Sequence, residues 1–181
     1  MLALVFLAAS GLLPTPSIRF GEGEHLMPVP NGGLQPQAVV DDSGTTHLIY
    51  LKGDPGNADI FYSRLQGGGG DFSEPLRVNQ PGAGAIAAGT IRGAHLAVGR
   101  AGRVHVAWMQ GSEAMLYSRL DDAGKSFEKP RNVLRKASGL DGGGTVAADR
   151  EGRVYVAWHS GRDDETSRKV WLTISRDDGR T

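Results

Sequence analysis

The chain of 181 residues predicts an all-β propeller, with about three four-stranded blades in this stretch. Three observations predict it. A phrase built round a turn glycine and ending in an aromatic comes three times. A second, tighter turn motif follows each copy. Glycine is abundant at 27 residues and proline adds 9, as many short strands with many turns require.

The first phrase is Val39-Val40-Asp41-Asp42-Ser43-Gly44-Thr45-Thr46-His47-Leu48-Ile49-Tyr50. It aligns with the stretch from Ala97 to Trp108 and again with that from Ala147 to Trp158. The turn glycines are Gly44, Gly102 and Gly152, so the period is 58 and then 50 residues. Propeller blades repeat at about 40–50 residues, slightly less than this. A β-sandwich also has short strands and frequent turns, but it does not predict three matching units.

Within a unit the elements follow in order. An apolar strand such as His95 to Val98 leads into the glycine turn. The next strand alternates, with Val104, Val106 and Trp108 on one side and β-branched and aromatic residues enriched. A polar loop, a short strand from Ala114 to Arg119, a second turn and a last strand near Arg131 to Leu134 complete it. The units are expected near 33–80, 90–136 and 140–181. No helical period is seen outside the N-terminus.

The second turn is clearest in Ser175-Arg176-Asp177-Asp178-Gly179-Arg180-Thr181, the pattern Ser-x-Asp-x-Gly-x-Thr. Gly179 supplies a positive φ without a Cβ clash. Ser175 and Asp177 can accept hydrogen bonds from N–H groups that a tight turn leaves unpaired, and Thr181 closes it. An eroded copy keeps Asp122, Gly124, Ser126 and Phe127 but has Leu120 for the serine. The earliest keeps only Gly69 and Phe72. The third copy stops before its aromatic, which suggests a piece of a longer propeller, six-bladed when complete.

Composition narrows the function classes. Lysine and arginine total 20 against 20 acidic residues, interspersed, so no electrostatic footprint points to nucleic acid or an anionic membrane. With 0 cysteines, disulfides and Cys-based nucleophiles or metal sites are excluded. No metal constellation is legible and no cofactor is expected. Residues 1–20 open with the apolar run Met1 to Ser10, too short for a membrane span, and read as an export signal. A first core strand is the other reading. Export of a cysteine-free β-protein suits a bacterial periplasm or exterior.

The Ser175–Thr181 box, its eroded copies and the phrases Gly102-Arg103-Val104-His105-Val106-Ala107-Trp108 and Gly152-Arg153-Val154-Tyr155-Val156-Ala157-Trp158 resemble the sialidase (neuraminidase) superfamily of Asp-box, or BNR, repeat proteins. Its little-characterised exported bacterial branch, often labelled exo-α-sialidase, is the most similar. The resemblance covers roughly residues 33 to 181. It implies a sialidase-like propeller with the Asp-boxes on the face away from the active site. It further implies an arginine triad for the substrate carboxylate, an Asp acid and a Tyr nucleophile activated by Glu. The chain departs from the family's first-blade phrases: Ser17-Ile18-Arg19-Phe20 lacks the Arg-Ile-Pro order, and Leu51-Lys52-Gly53 stands where Glu-Gly-Arg is usual.

On that topology the opposite face collects the loops entering each innermost strand and those joining second to third strands. They supply Asp141 and Asp59 as candidate catalytic carboxylates, and Arg92, His95, Gln37, His159 and Arg162 as candidate substrate contacts. Each has a plainer alternative. Arg92 could pair with a neighbouring carboxylate, Asp141 could cap the turn at Gly142–Gly144, and His95 could be a core histidine. The expected ligand is a glycan or another small anionic sugar. Two functions follow: an exported glycoside hydrolase acting on terminal sialic acid or a related sugar, or a non-catalytic propeller binding carbohydrate or a protein.

Overall fold

The computed structural model describes residues 26–87, 93–135, 139–161 and 168–181. The expected export segment, Arg92 and Arg162 lie outside them, as does the side chain of Asp141. Among the described residues eleven strands form three antiparallel sheets. The first holds β1 (Leu34–Val40), β2 (Thr46–Lys52), β3 (Asp59–Leu65) and β4 (Leu76–Arg77) in that order. The second repeats it with β5 (Ala94–Val98), β6 (Val104–Gln110), β7 (Ala114–Arg119) and β8 (Arg131–Asn132). The third has β9 (Leu140–Ala148), β10 (Val154–Ser160) and β11 (Lys169–Ser175). Short 3-10 turns at Pro30–Gly32 and Arg100–Gly102 are the only helical elements among the described residues.

The first hairpin of each sheet turns on the glycine of the repeated phrase. Gly44, Gly102 and Gly152 have φ of +80°, +73° and +84°, the left-handed position of a three-residue hairpin loop. In two of these turns an aspartate ties the loop together. Asp41 Oδ1 accepts from the Ser43 and Thr45 amides, and Asp149 Oδ1 from those of Glu151 and Arg153. The second sheet has Gly99 instead, because a Cβ there would lie 2.9 Å from His105 Nε2 and 3.0 Å from Ala148 Cβ.

Alternation along β6 sends successive side chains into two cores, one on each face of the second sheet. Ile49, Leu51 and Ile60 of the first sheet pack on Leu96, Val104, Val106 and Trp108 of the second. Ala97, Ala107, Met109 and Met115 of the second pack on Val146, Val154, Val156 and Trp158 of the third. Trp108 is wholly buried, and a large side chain so placed contributes roughly 2–3 kcal/mol.

Where two sheets meet, a histidine–tyrosine pair crosses the buried face. His47 Nδ1 lies 2.8 Å from Tyr62 OH, and His105 Nδ1 lies 2.7 Å from Tyr117 OH. Burial pushes the Tyr62 hydroxyl up to about 12 and raises Tyr117 as well. The Asp-box turn of the following sheet docks on that tyrosine. Phe127 meets Tyr62 edge-on at 5.6 Å, and a Cβ at Gly179 would run into the Tyr117 hydroxyl.

The third box behaves as its spacing predicts. Asp177 accepts from the Arg180 and Thr181 amides and from the Ser175 and Thr181 hydroxyls, and Ser175 Oγ accepts from Gly179 N. These donors hold the Asp177 carboxyl far below the usual carboxylate range. The second box differs. Its turn carboxylate is Asp121, which accepts from the Lys125 and Ser126 amides and the Ser126 hydroxyl, where the spacing predicts Asp122. The cause is Leu120. It is buried and bridges to Phe127, and it lacks the hydroxyl by which Ser175 holds Asp177 and the Gly179 amide in the third box. Asp122 points outward to Arg103 and Arg180. D121A is therefore expected to lower the melting temperature more than D122A, since exposed ion pairs contribute little. An equal or larger loss from D122A would contradict this assignment.

Candidate functional site

Both ends of the sheet stack are hollow, and their chemistry differs. The end carrying the hairpin turns holds a recess of about 660 Å³ lined by Asp41, Asp42, Gly102, Asp149 and Arg150. Its aspartates serve their own turns, and an exposed Arg150–Asp42 pair of 2.6 Å links the third sheet to the first across it. These groups are committed to the scaffold. The opposite end is built differently.

There, each innermost strand begins with irregular backbone. In β1 the register slips between Leu34 and Gln37, with Gln35 at a φ of +46° although it is not glycine. Before β5, Gly93 has a φ of +121°, and a Cβ on it would lie 2.8 Å from Gln35 Oε1. In β9 the pairing with β10 slips between Trp158 and Ser160, and Gly142 and Gly143 have φ of +89° and +86°. Bulges of this kind interrupt the ladder and recur beside functional sites. A strained non-glycine residue such as Gln35 points the same way.

Between β5 and β9 this irregular rim opens a crevice of about 370 Å³ lined by His95, Gly142, Gly143, Gly144, Thr145, Ala157, Trp158 and Val170. The glycines are structural requirements as well as space. A Cβ on Gly144 would lie 2.6 Å from Met115 Cε and 2.7 Å from the Ala157 carbonyl oxygen. His95 is half-buried, and that burial lowers its pKa, so the crevice presents it as a neutral imidazole near pH 7.

Of the residues the sequence singles out, Gln37 and His95 come together. Gln37 Oε1 accepts from Leu96 N at 2.5 Å, tying β1 to β5 directly beside His95. Asp141 takes its place in β9 next to Gly142, at the lip of the crevice. Asp59 is elsewhere. It starts β3 on the outer flank, where Arg77 Nη2 donates to it at 2.5 Å and Asn79 Nδ2 at 2.9 Å. His159 follows Trp158 in β10 and pairs with Val170 of the crevice wall, but it is not itself among the lining residues. Sequence reasoning missed the positive φ of Gln35, the paired bulges and Trp158 as site features. The signal available was the run of three glycines inside a strand, which marks a bulge as readily as a turn.

Among the described residues no group of three or more His, Asp or Glu could hold a metal ion, and no helix is long and apolar enough to cross a membrane.

Antiparallel sheets stacked face to face, each with its first strand innermost and its turns gathered at two ends, define a β-propeller-like protein. Comparison makes the fold more specific. No family model matches the chain, and no curated protein matches it. Its structure is similar to that of a point mutant of NanB sialidase from Streptococcus pneumoniae, with a TM-score of 0.51 at 14% identity. That match covers 78% of this chain and 22% of the sialidase, so the chain spans about a fifth of its length. An ulvan lyase, described as a new family of polysaccharide lyase, matches at a TM-score of 0.46 and 14% identity, over 81% of this chain and 39% of the lyase. The fold is that of a sialidase-like β-propeller.

Proposed function

We propose that this chain forms part of a carbohydrate-active propeller and takes the end of a glycan in the crevice between β5 and β9. The observation that carries this reading is the crevice itself. It combines an aromatic wall at Trp158, a neutral polar group at His95 and bulged backbone, the mixture of apolar surface and a few placed polar groups that small-ligand sites use. A terminal sialic acid or a related acidic sugar is the favoured ligand, on the fold and on the Asp-box repeats. The chain acts outside the cytoplasm if residues 1–20 serve as an export signal.

Hydrolysis of the bound glycan is the second reading, favoured by the position of Asp141 beside Gly142. Asp59 is less suited to acid–base work, because Arg77 and Asn79 hold its carboxylate on the outer flank. Saturation-transfer NMR with methyl α-N-acetylneuraminide, methyl glucuronide and methyl β-galactoside tests binding. Transfer to at least one glycoside is expected, reduced about tenfold in affinity by His95→Ala. Absence of transfer to all three would refute the carbohydrate reading. Release of a fluorophore from an aryl sialoside, lost in Asp141→Asn, would establish hydrolysis; binding without release leaves the propeller a lectin.

A further inference from the structure

The two repeat-equivalent tryptophans differ in one atom's surroundings. Trp108 ends the alternating run of β6, and its indole Nε1–H donates to the Ala83 carbonyl at 3.1 Å. Trp158 holds the same place in β10 and is 6% exposed, yet its Nε1–H has no hydrogen-bond partner among the described residues. A buried donor left unpaired costs about 1–3 kcal/mol, so a fold retains one only where something else benefits. Trp158 is also a wall of the β5–β9 crevice, and the β9–β10 ladder slips directly beside it.

We infer that Trp158 is a specificity-determining donor of this crevice: its Nε1–H pairs with an oxygen of the bound sugar. The inference rests on the carbohydrate reading above and refines it. The partner must be an acceptor, because an indole N–H cannot accept, so a hydroxyl, ring or carboxylate oxygen fits and a C–H or ammonium group does not. The other polar lining is compatible with an acceptor-rich ligand. His95 is neutral, and none of the lining residues with a described side chain carries a negative charge. Discrimination against a deoxy analogue then follows from leaving the buried N–H unpaired a second time.

The test uses the whole 181-residue chain and the methyl glycoside that gives the strongest transfer. The Trp158 Nε1–H resonance, assigned by its loss in Trp158→Phe, is expected to move downfield on titration, while the Trp108 resonance stays in place. Trp158→Phe keeps an aromatic wall and is expected to weaken binding about tenfold. If the glycoside binds and neither the resonance nor the affinity changes, the donor role is wrong and the carbohydrate reading stands. If no glycoside binds, both fall. Should Trp158→Phe fold poorly, the resonance shift in the unmodified chain decides alone.

Discussion

Replacing Asp178 by alanine is expected to cost about 3–5 kcal/mol of folding stability, the usual penalty for removing one partner of a buried charge network. Asp178 is 2% exposed and sits at the joint between the second and third sheets. Arg103 Nε lies 3.3 Å from Oδ2, Arg119 Nη1 3.4 Å, and Arg100 reaches to 3.8 Å. Arg119 Nη1 also donates to the Asp178 carbonyl oxygen, and the Asp178 amide donates to the Gly152 carbonyl. Without the carboxylate, Arg119 keeps only the more exposed Glu128 at 2.7 Å and Asp122 at 3.6 Å, and the joint loses its buried negative charge. Backbone adds to the loss, since Asp178 has a φ of +63° that alanine adopts less readily. Asp178→Asn separates the two causes, because asparagine tolerates that conformation and lacks only the charge. Urea unfolding is the measurement. An Asp178→Ala midpoint equal to that of the unmodified chain would show the network to be decorative.

Acid is expected to weaken the same joint before it titrates the turn carboxylates. His105 is fully buried, with Tyr117 on Nδ1 and Asp178 Oδ1 3.8 Å from Nε2, and with Arg103 and Arg119 close by. Burial is the main cause that pushes its pKa down to about 4. Asp178 opposes that shift, and the two arginines reinforce it. The folded state thus binds its proton later than the unfolded chain, which takes one up near 6.5. Stability is complete above pH 6.5 and is lost as the pH falls from there to about 4. The fall from 6.5 to about 4, at about 1.4 kcal/mol for each tenfold change, amounts to about 3 kcal/mol. His95, lowered for the same reason, adds in the same direction. Asp41, Asp121, Asp149 and Asp177, all held low by hydrogen bonds, contribute only at more acid pH. His105→Gln is expected to flatten the dependence between pH 6.5 and 4 and leave the more acid limb. An unchanged slope in that variant would remove His105 as its cause.

The repeat made the scaffold legible. Gly44, Gly102 and Gly152 mark the hairpins because only a glycine-friendly φ closes those turns, and the strand expected from Ala114 to Arg119 is found with those bounds. What spacing could not reveal was competition between burial and register. Leu120 offers no hydroxyl where the third box has Ser175, and the turn carboxylate is Asp121, one residue earlier than the spacing predicts. Asp178 occupies an unspecified place in the box pattern, and its partners Arg103 and Arg119 lie more than fifty residues away in sequence. No local pattern encodes such a joint. Of the residues the sequence singled out, the structure brings Gln37 and His95 together beside the candidate crevice. Its bulges were not legible, because a slip of register belongs to two strands and is written in neither.

The two joints are made of different materials, and this gives the molecule an order in which to come apart. Between the first and second sheets the contact is oily, with Phe127 against Tyr62 and a large apolar cluster around Trp108. Between the second and third it adds a buried knot of ions and the Arg131 guanidinium clasping the Gly179 and Arg180 carbonyls. Cold loosens hydrophobic contact first, whereas acid acts on charge. Cold is therefore expected to act first on the joint between the first and second sheets, and acid on that between the second and third.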